Sequence, residues 1–378
     1  MQRGSSPPAP MPPGISAPST SCEKCVSHFE VYAMKTVRLG RTGLIVSRVG
    51  FGGIPIQRLT DDEAVRVVRR CLDLGVTLLD TATGYSTSEE RIGKAVAGRR
   101  AEMVIATKTP ARDKATALQH LELSLKRLNT DYIDLWQFHN VSTPEVYEQV
   151  LGSAGAMEAA REALRAGKIR HIGMSSHSLD MALKAVPSGL FETIQFPFNF
   201  VTDEAAKELL PLTRTHDVGF IAMKPFAGGM LNNARLTLKH LLQFENVVPD
   251  PGIQTVEEIA EIAEIMMGSW ELTPEEILEM ERTRAEVGMR FCRRCDYCQP
   301  CPKKVRISTV LTVQSFWKRF PPHRFFTGFV ADAVAGARLC GDCGECEERC
   351  PYHLPIREML TENLAFYDSI APRAGEPR

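Results

Sequence analysis

The sequence predicts an α/β fold, a (β/α)8 TIM barrel followed by a small, mostly helical, cysteine-rich domain. Short apolar runs alternate with amphipathic stretches through the first 270 residues. Polar side chains of complementary chemistry stand where successive apolar runs end. Eight of the eleven cysteines fall between Cys292 and Cys350. A chain of 378 residues has room for a barrel, which takes about 250, and for a further module. Hydrophobic residues at 44% and charged residues at 24% exclude wholesale disorder. A formal net charge of -1 leaves no global basic field for nucleic acid or an anionic membrane surface. No apolar run approaches the roughly 18 residues of a membrane span.

Residues 1–33 read as a disordered tail, because prolines 7, 8, 10, 12, 13 and 18 with Ser and Gly cannot build a core. The tail lacks the apolar stretch of an export signal, so a cytoplasmic location is expected. Met34-Lys35 opens the first patterned segment and is an alternative start. Cys22 and Cys25 form a CxxC pair, half a metal site at best. Lys35–Leu39 and Leu44–Val46, joined by Gly40-Arg41-Thr42-Gly43, predict a hairpin ahead of the first barrel strand.

The predicted strands are Val49–Gly53, Thr77–Asp80, Val104–Thr107, Ile133–Phe138, His171–Met174, Thr193–Pro197, Gly219–Met223 and the weaker Val247–Pro249. They are nearly continuous in apolar residues, as in a parallel sheet covered on both faces. Asp61–Leu74 is a predicted helix with a Thr60 cap and an apolar stripe of Ala64, Val67, Val68, Cys71 and Leu72, closed by Gly75. This places Cys71 in the core. Ala115–Leu128, Gly155–Ala166, Asp203–Thr215 and Thr255–Met267 are predicted helices of the same kind. An open doubly wound sheet fits the alternation, and the count of eight strands favours closure. Gly50-Phe51-Gly52-Gly53 is not a dinucleotide fingerprint, since Pro55 stands where its third glycine belongs.

In such a barrel the site forms where strands end. The second strand ends in Asp80-Thr81-Ala82-Thr83-Gly84-Tyr85, the third in Thr107-Lys108 and the fourth in Phe138-His139. These residues suit proton delivery to a carbonyl oxygen. A free tyrosine, with a pKa of about 10, is a weak acid at pH 7. Lys108 would lower that value, Asp80 would hold Lys108, and His139 would donate a hydrogen bond to the substrate oxygen.

The segments RLGRTGLIVSRVGFGG, LLDTATGYSTSEERIGKAV, VIATK, DYIDLWQFHN, GKIRHIGMSSHS, TIQFPFN and MKPFAGGML resemble the aldo/keto reductase family over about residues 34–268. The resemblance implies a barrel that binds NADPH, with NADH as the alternative, and reduces an aldehyde or ketone to an alcohol. It implies Tyr85 as general acid, Lys108 and Asp80 tuning it, and His139 orienting the substrate. It implies Ser175, Ser176 and Gln195 against the nicotinamide carboxamide, Met223 against its ring and Gly252 near the adenosine end. Ser176 stands where asparagine is common and Met223 where an aromatic often stacks. No basic fork follows Gly252 to grip a 2′-phosphate. Substrate choice is expected in the Val141–Gly155 stretch and the Asn232–Arg235 region, and Trp136 is either core or pocket.

Residues 292–301 read Cys-Arg-Arg-Cys-Asp-Tyr-Cys-Gln-Pro-Cys, and 340–350 read Cys-Gly-Asp-Cys-Gly-Glu-Cys-Glu-Glu-Arg-Cys. The second run, followed by Pro351, has the C-x2-C-x2-C-x3-C-P spacing of bacterial ferredoxins. Two [4Fe–4S] clusters are expected, Cys292, Cys295 and Cys298 with Cys350, and Cys340, Cys343 and Cys346 with Cys301. Two zinc sites, or one cluster beside a vestigial run, are the alternatives. Ser308–Phe320 and Thr327–Ala337 read as helices, broken by Pro321-Pro322, as in helical two-cluster ferredoxins. Reductases with such a C-terminal ferredoxin-type module form a recognisable subgroup of the family.

The predicted domains are the tail (1–33), the barrel (34–270), a linker helix (271–290) and the iron–sulfur domain (291–378). The expected function is NAD(P)H-dependent carbonyl reduction of a small-molecule carbonyl, with an iron–sulfur module that is structural, sensing or electron-transferring. One alternative is an iron–sulfur electron-transfer oxidoreductase whose barrel does other chemistry. Another is a non-catalytic module docking a redox protein partner through residues 291–378. No flavin signature links hydride to one-electron chemistry.

Overall fold

In the computed structural model, residues 34–371 are described. The proline-rich tail, with Cys22 and Cys25, lies outside the described residues. The described residues open with the expected hairpin, β1 (Thr36–Arg38) antiparallel to β2 (Ile45–Ser47). Its turn tucks under the barrel. Leu39 and Val46 pack with Leu78, Ala106, Leu135, Ile221 and Val248 in one buried cluster that fills the barrel floor. Gly40 has φ +54°, and a Cβ there would lie 2.2 Å from the Gly219 nitrogen, so only glycine fits.

Eight parallel strands follow: β3 (Phe51–Gly52), β4 (Leu78–Asp80), β5 (Val104–Thr109), β6 (Ile133–Phe138), β7 (Ile169–Ser175), β8 (Thr193–Pro197), β9 (Gly219–Met223) and β10 (Val247–Asp250). They pair in sequence order. The Gly50 nitrogen donates to Pro249 O and the Gly52 nitrogen to Pro251 O, both at 2.8 Å, bringing the first barrel strand against the last. The strands are short and almost wholly buried, which fits their continuous apolar sequence.

The outer helices are α1 (Asp61–Asp73), α2 (Ser88–Ala95), α3 (Lys114–Leu128), α4 (Pro144–Leu151), α5 (Ala156–Arg165), α6 (Leu179–Ala185), α7 (Leu209–Thr215), α8 (Ala234–Leu242) and α9 (Val256–Met267). In α1, Thr60 and Glu63 form a capping box, and the predicted stripe, Cys71 included, is buried. The helix expected over 203–215 is interrupted. A 3-10 turn at Glu204–Ala206 precedes α7, because Pro211 has no N–H to bond back toward Lys207. The Val141–Gly155 stretch is not an open loop: Thr143 caps α4 there, with Pro144 at its first position.

Beyond the barrel, α10 (Pro274–Gly288) starts at a Thr273–Glu276 capping box. Two cysteine loops then alternate with α11 (Ile307–Val310), α12 (Val313–Trp317), α13 (Pro322–Phe325), α14 (Gly328–Ala337), α15 (Glu345–Glu348) and α16 (Ile356–Ile370). The helix expected over 308–320 is two short ones. The described residues fall within one compact unit. Among them, no helix is long and apolar enough to cross a membrane.

Candidate active site

The carboxyl ends of β4, β5 and β6 set the central group. Asp80 is the last residue of β4, Lys108 lies next to the end of β5, and His139 follows β6. Tyr85 sits in the turn after β4, where its N–H donates to Ala82 O at 2.9 Å and its carbonyl accepts from Ser88 N at 2.9 Å. Lys108 is buried; its ammonium forms an ion pair with Asp80 and donates to Thr81 O at 2.8 Å. The ammonium lies 5.2 Å from the centre of the Tyr85 ring. The Tyr85 and His139 rings meet edge to face, with centroids 5.7 Å apart. Thus the four residues, from three neighbouring strand ends, stand together.

Their electrostatics differ in one respect from the expectation. Burial pulls the Lys108 pKa down, but Asp80, Tyr85 and Asp250 more than offset it, and the ammonium is held above its ordinary value. Burial raises the Tyr85 pKa by more than Lys108 lowers it, so the net direction is upward rather than downward. Tyr85 therefore keeps its proton at neutral pH. Burial first, then Lys108, Arg112 and Arg294, bring His139 down to about 3. Its imidazole is neutral and can donate from one ring nitrogen.

A line of amides joins this group to a second acid. The Gln137 side-chain amide donates to Asp80 at 3.4 Å and to Gln195 at 3.3 Å, and Gln195 donates to Asp250 at 3.1 Å. Burial, reinforced by the nearby Asp80 charge, raises Asp250 well above the carboxylate range. Asp250 closes β10 and was missed from sequence, although the strand-end rule that found Asp80 applies equally to it.

A cavity of about 850 Å³ opens above the group. Asp80, Tyr85, Lys108, His139, Ser175, Gln195, Met223 and Gly252 all line it. Ser176 does not: its hydroxyl donates to Ser178 O at 3.1 Å. Trp136 is fully buried in the core against Phe138 and lies outside the lining. Leu231, Asn232 and Ala234 contribute to the wall, in the region expected to govern substrate choice.

The part of the wall not foreseen comes from beyond the barrel. Arg294, Phe316, Trp317, Arg319, Phe320 and Arg324 roof the cavity. Ser315 Oγ donates to Gly228 O at 2.8 Å and Lys318 Nζ to Gly229 O at 2.9 Å. Arg324 donates to Gln57 Oε1 at 2.9 Å and to Gly84 O at 2.7 Å. The signal was present in the aromatic and basic run SFWKRFPPHRFF over residues 315–326.

The cysteines gather in a second, smaller core. Cys298 and Cys350 are buried among Val305, Ile307, Leu354 and Leu360, with Cys292, Cys301 and Cys346 packed against them. Cys298, Cys301, Cys340, Cys343 and Cys346 share one cavity of about 30 Å³. Burial, with Asp296 and the neighbouring thiols adding, pushes Cys298 up to about 12, so metal binding there would release protons. Among the described residues, no three Cys, His, Asp or Glu side chains are close enough to hold a metal ion. The donor chemistry suits iron–sulfur ligation; the side chains are gathered but not set at ligand spacing.

Comparison with known proteins gives consistent results. The model of the aldo/keto reductase family matches residues 48–288. The aldo-keto reductase YhdN of Bacillus subtilis is 32% identical over 217 residues, covering 52% of this chain and 64% of that protein. The L-galactose dehydrogenase of Arabidopsis thaliana is 31% identical over 212 residues, covering 51% of this chain and 66% of that protein. The chain thus spans just under two thirds of those relatives. Among solved structures, the holo form of aldo-keto reductase AKR11C1 from Bacillus halodurans superposes with a TM-score of 0.57 at 26% identity, over 66% of this chain and 96% of that one. An aldo/keto reductase from Klebsiella pneumoniae in complex with NADP and acetate gives a TM-score of 0.57 at 25% identity, over 66% and 95%.

Proposed function

The chain belongs to the aldo/keto reductase family and is an oxidoreductase, and from that premise we propose that it reduces a carbonyl to an alcohol with NADPH or NADH. The observation that carries this proposal is the convergence of Asp80, Tyr85, Lys108 and His139 on one cavity. The cavity suits a nicotinamide dinucleotide, as held by the Klebsiella relative, in volume and in its lining of Ser175, Gln195, Met223 and Gly252. These four residues would hold it. Ser176 would act only through the backbone it bonds. Where adenosine would end, the wall offers Gln254 and Glu258 rather than arginine, so a 2′-phosphate has no cation partner there.

When bound, the reduced nicotinamide supplies a hydride to the carbonyl carbon. Tyr85 donates its phenolic proton to the carbonyl oxygen, so that C=O becomes CH–OH. The tyrosinate left behind faces the Lys108 ammonium, which stabilises it. Asp80 and Thr81 O hold that ammonium in place. Neutral His139 donates a hydrogen bond to the same oxygen as negative charge grows on it. A proton from solvent restores Tyr85. Aldehyde-dependent oxidation of NADPH tests the proposal: Tyr85→Phe should lower kcat by about 10²–10⁴ and leave dinucleotide binding intact. Equal turnover by both proteins would refute it.

The eight cysteines are proposed to bind two [4Fe–4S] clusters in a reducing cytoplasm, Cys292, Cys295, Cys298 and Cys350 at one, and Cys340, Cys343, Cys346 and Cys301 at the other. The ferredoxin-type spacing supports this. The small cavity lined by Cys298, Cys301, Cys340, Cys343 and Cys346 brings the two runs together. The clusters are read as structural, sensing or electron-transferring. Anaerobic purification with iron and sulfide quantitation should find about eight iron atoms per chain. Zinc in their place would refute it.

A further inference from the structure

We propose that Arg294 and Arg319, both supplied by the segment beyond the barrel, form an anion subsite over the Tyr85–His139 centre, and that the carbonyl substrate carries a carboxylate or phosphate held there. This rests on the carbonyl-reductase reading and narrows its substrate class.

The cavity wall is rich in basic side chains, although burial lowers the Lys224 pKa well below its ordinary value. Arg112, Lys224, Arg294, Arg319 and Arg324 line it. Among the described residues, none of the five is in an ion pair with a carboxylate. Arg112 Nη2 donates to His139 O at 2.7 Å and Asn140 O at 3.2 Å while its Nη1 is buried without a partner, and Arg324 donates to Gln57 and Gly84. The acids on the wall are already occupied. Asp80 is paired with Lys108, Asp250 accepts from Gln195 and its pKa is raised by burial, and Glu258 accepts from the Gln254 and Thr255 nitrogens at the start of α9. Asp296, in the same loop as Arg294, is exposed and makes no ion pair with it.

Arg294 and Arg319 are the two whose guanidiniums lie against one ring. The Arg294 Nε is buried and has no hydrogen-bond partner. Arg319 bonds only its neighbour Ser315, from Nε to the carbonyl at 2.8 Å and from Nη2 to Oγ at 2.7 Å. Both guanidiniums lie over the Phe316 ring, at 5.2 and 5.6 Å from its centre. Two guanidiniums therefore share one aromatic ring. Burial, and then the Arg294 charge, hold Arg319 down to about 10. Such an arrangement is costly unless an anion completes it. Planar guanidiniums match the oxygens of a carboxylate or phosphate.

The position favours substrate over dinucleotide. Arg294 and Arg319 line the same cavity as Tyr85 and His139. The glycine loop at Gly228 and Gly229 is instead met by Ser315 and Lys318. An anion held between Arg294 and Arg319 would set a nearby carbonyl against the Tyr85 hydroxyl.

The test uses the full-length protein with its metal content intact, NADPH, and the pair 4-carboxybenzaldehyde and 4-methylbenzaldehyde. The wild type should favour the carboxylated aldehyde by about tenfold or more in kcat/KM. Arg319→Met and Arg294→Met should each collapse that ratio, and Arg319→Lys should restore part of it. Arg319 lies far in sequence from the cysteines, so its variants separate the effect from damage to the metal module. A wild-type ratio near one would overturn the proposal. So would an unchanged ratio in the variants with a raised NADPH Kd, which would assign both arginines to the dinucleotide. Failure to reduce any carbonyl would sink the reductase reading but leave the subsite decidable. Terephthalate should then quench the fluorescence of Trp317, which lines the cavity, whereas terephthalamide should not, and Arg319→Met should abolish the quenching. The absence of any terephthalate binding would overturn the subsite as well.

Discussion

The chemistry of the centre turns on Lys108. Its ion pair with Asp80 is almost wholly buried, so Lys108→Met strands a carboxylate away from water. Loss of one partner from such a pair costs about 3–5 kcal/mol. The variant should therefore lose both turnover and denaturant resistance, the second measured as a lower urea midpoint. Activity loss at an unchanged midpoint would mean that the pair is weakly coupled to the fold. The pH profile follows from two shifts. His139, brought down to about 3, stays neutral through the physiological range, and Tyr85, raised by burial, keeps its proton. The kcat/KM for an uncharged aldehyde should thus be flat from about pH 5 to 8 and fall only above about pH 10. A limb near pH 6.5 that disappears in His139→Gln would contradict this. Asp80, Tyr85, Lys108 and His139 come together on one cavity because strand ends share one rim. The Lys108 charge lowers the Tyr85 pKa as expected, but burial outweighs it, and what covers the ring is not encoded in any local pattern.

The barrel strands were legible as elements because each is a nearly uniform apolar run, and α1 because its Thr60 cap, Gly75 stop and apolar stripe agree. Two-turn helices such as α4 and α6 carry too little periodicity to stand out. Pro211 splits the helix expected over 203–215 through a hydrogen bond it cannot make. The hairpin turn offers the sharpest test at this scale. At Gly40 the backbone is left-handed and a Cβ would strike the Gly219 nitrogen, so the strand β9 must shift to admit one. Gly40→Ala should destabilise the protein by about 1–3 kcal/mol, read as a lower urea midpoint. Gly43→Ala is the control: its φ is also positive, but its Cβ would meet nothing within 4 Å. Equal losses in the two variants would show that strain at φ, not the fit against β9, decides the effect.

At the scale of the molecule, the segment after residue 290 is more than an appendage. Its aromatic and basic run lies over the mouth of the barrel, and its cysteine loops pack into their own small core. Sequence divided barrel from cysteine module by composition; it did not reveal this roof, because long-range docking leaves no periodic trace. Three half-buried histidines give the whole fold a pH dependence. Burial holds His139 at about 3, His177 well below its ordinary value and His240 at about 4. The unfolded chain takes up protons below about pH 6.5 that these native histidines refuse. Their contribution is intact above pH 6.5 and is lost as pH falls toward 4. The melting temperature should drop across that window, and one that is flat between pH 7 and 4.5 would count against neutral, half-buried histidines. The central claim, that this barrel moves a hydride to a carbonyl under protonation by Tyr85, is tested most directly by isotope transfer. With dinucleotide deuterated at the nicotinamide C4 position, the wild type should place deuterium on the carbinol carbon of the product, and Tyr85→Phe should form almost none. Tight dinucleotide binding with no deuterium transferred to any aldehyde or ketone, charged or neutral, would contradict it.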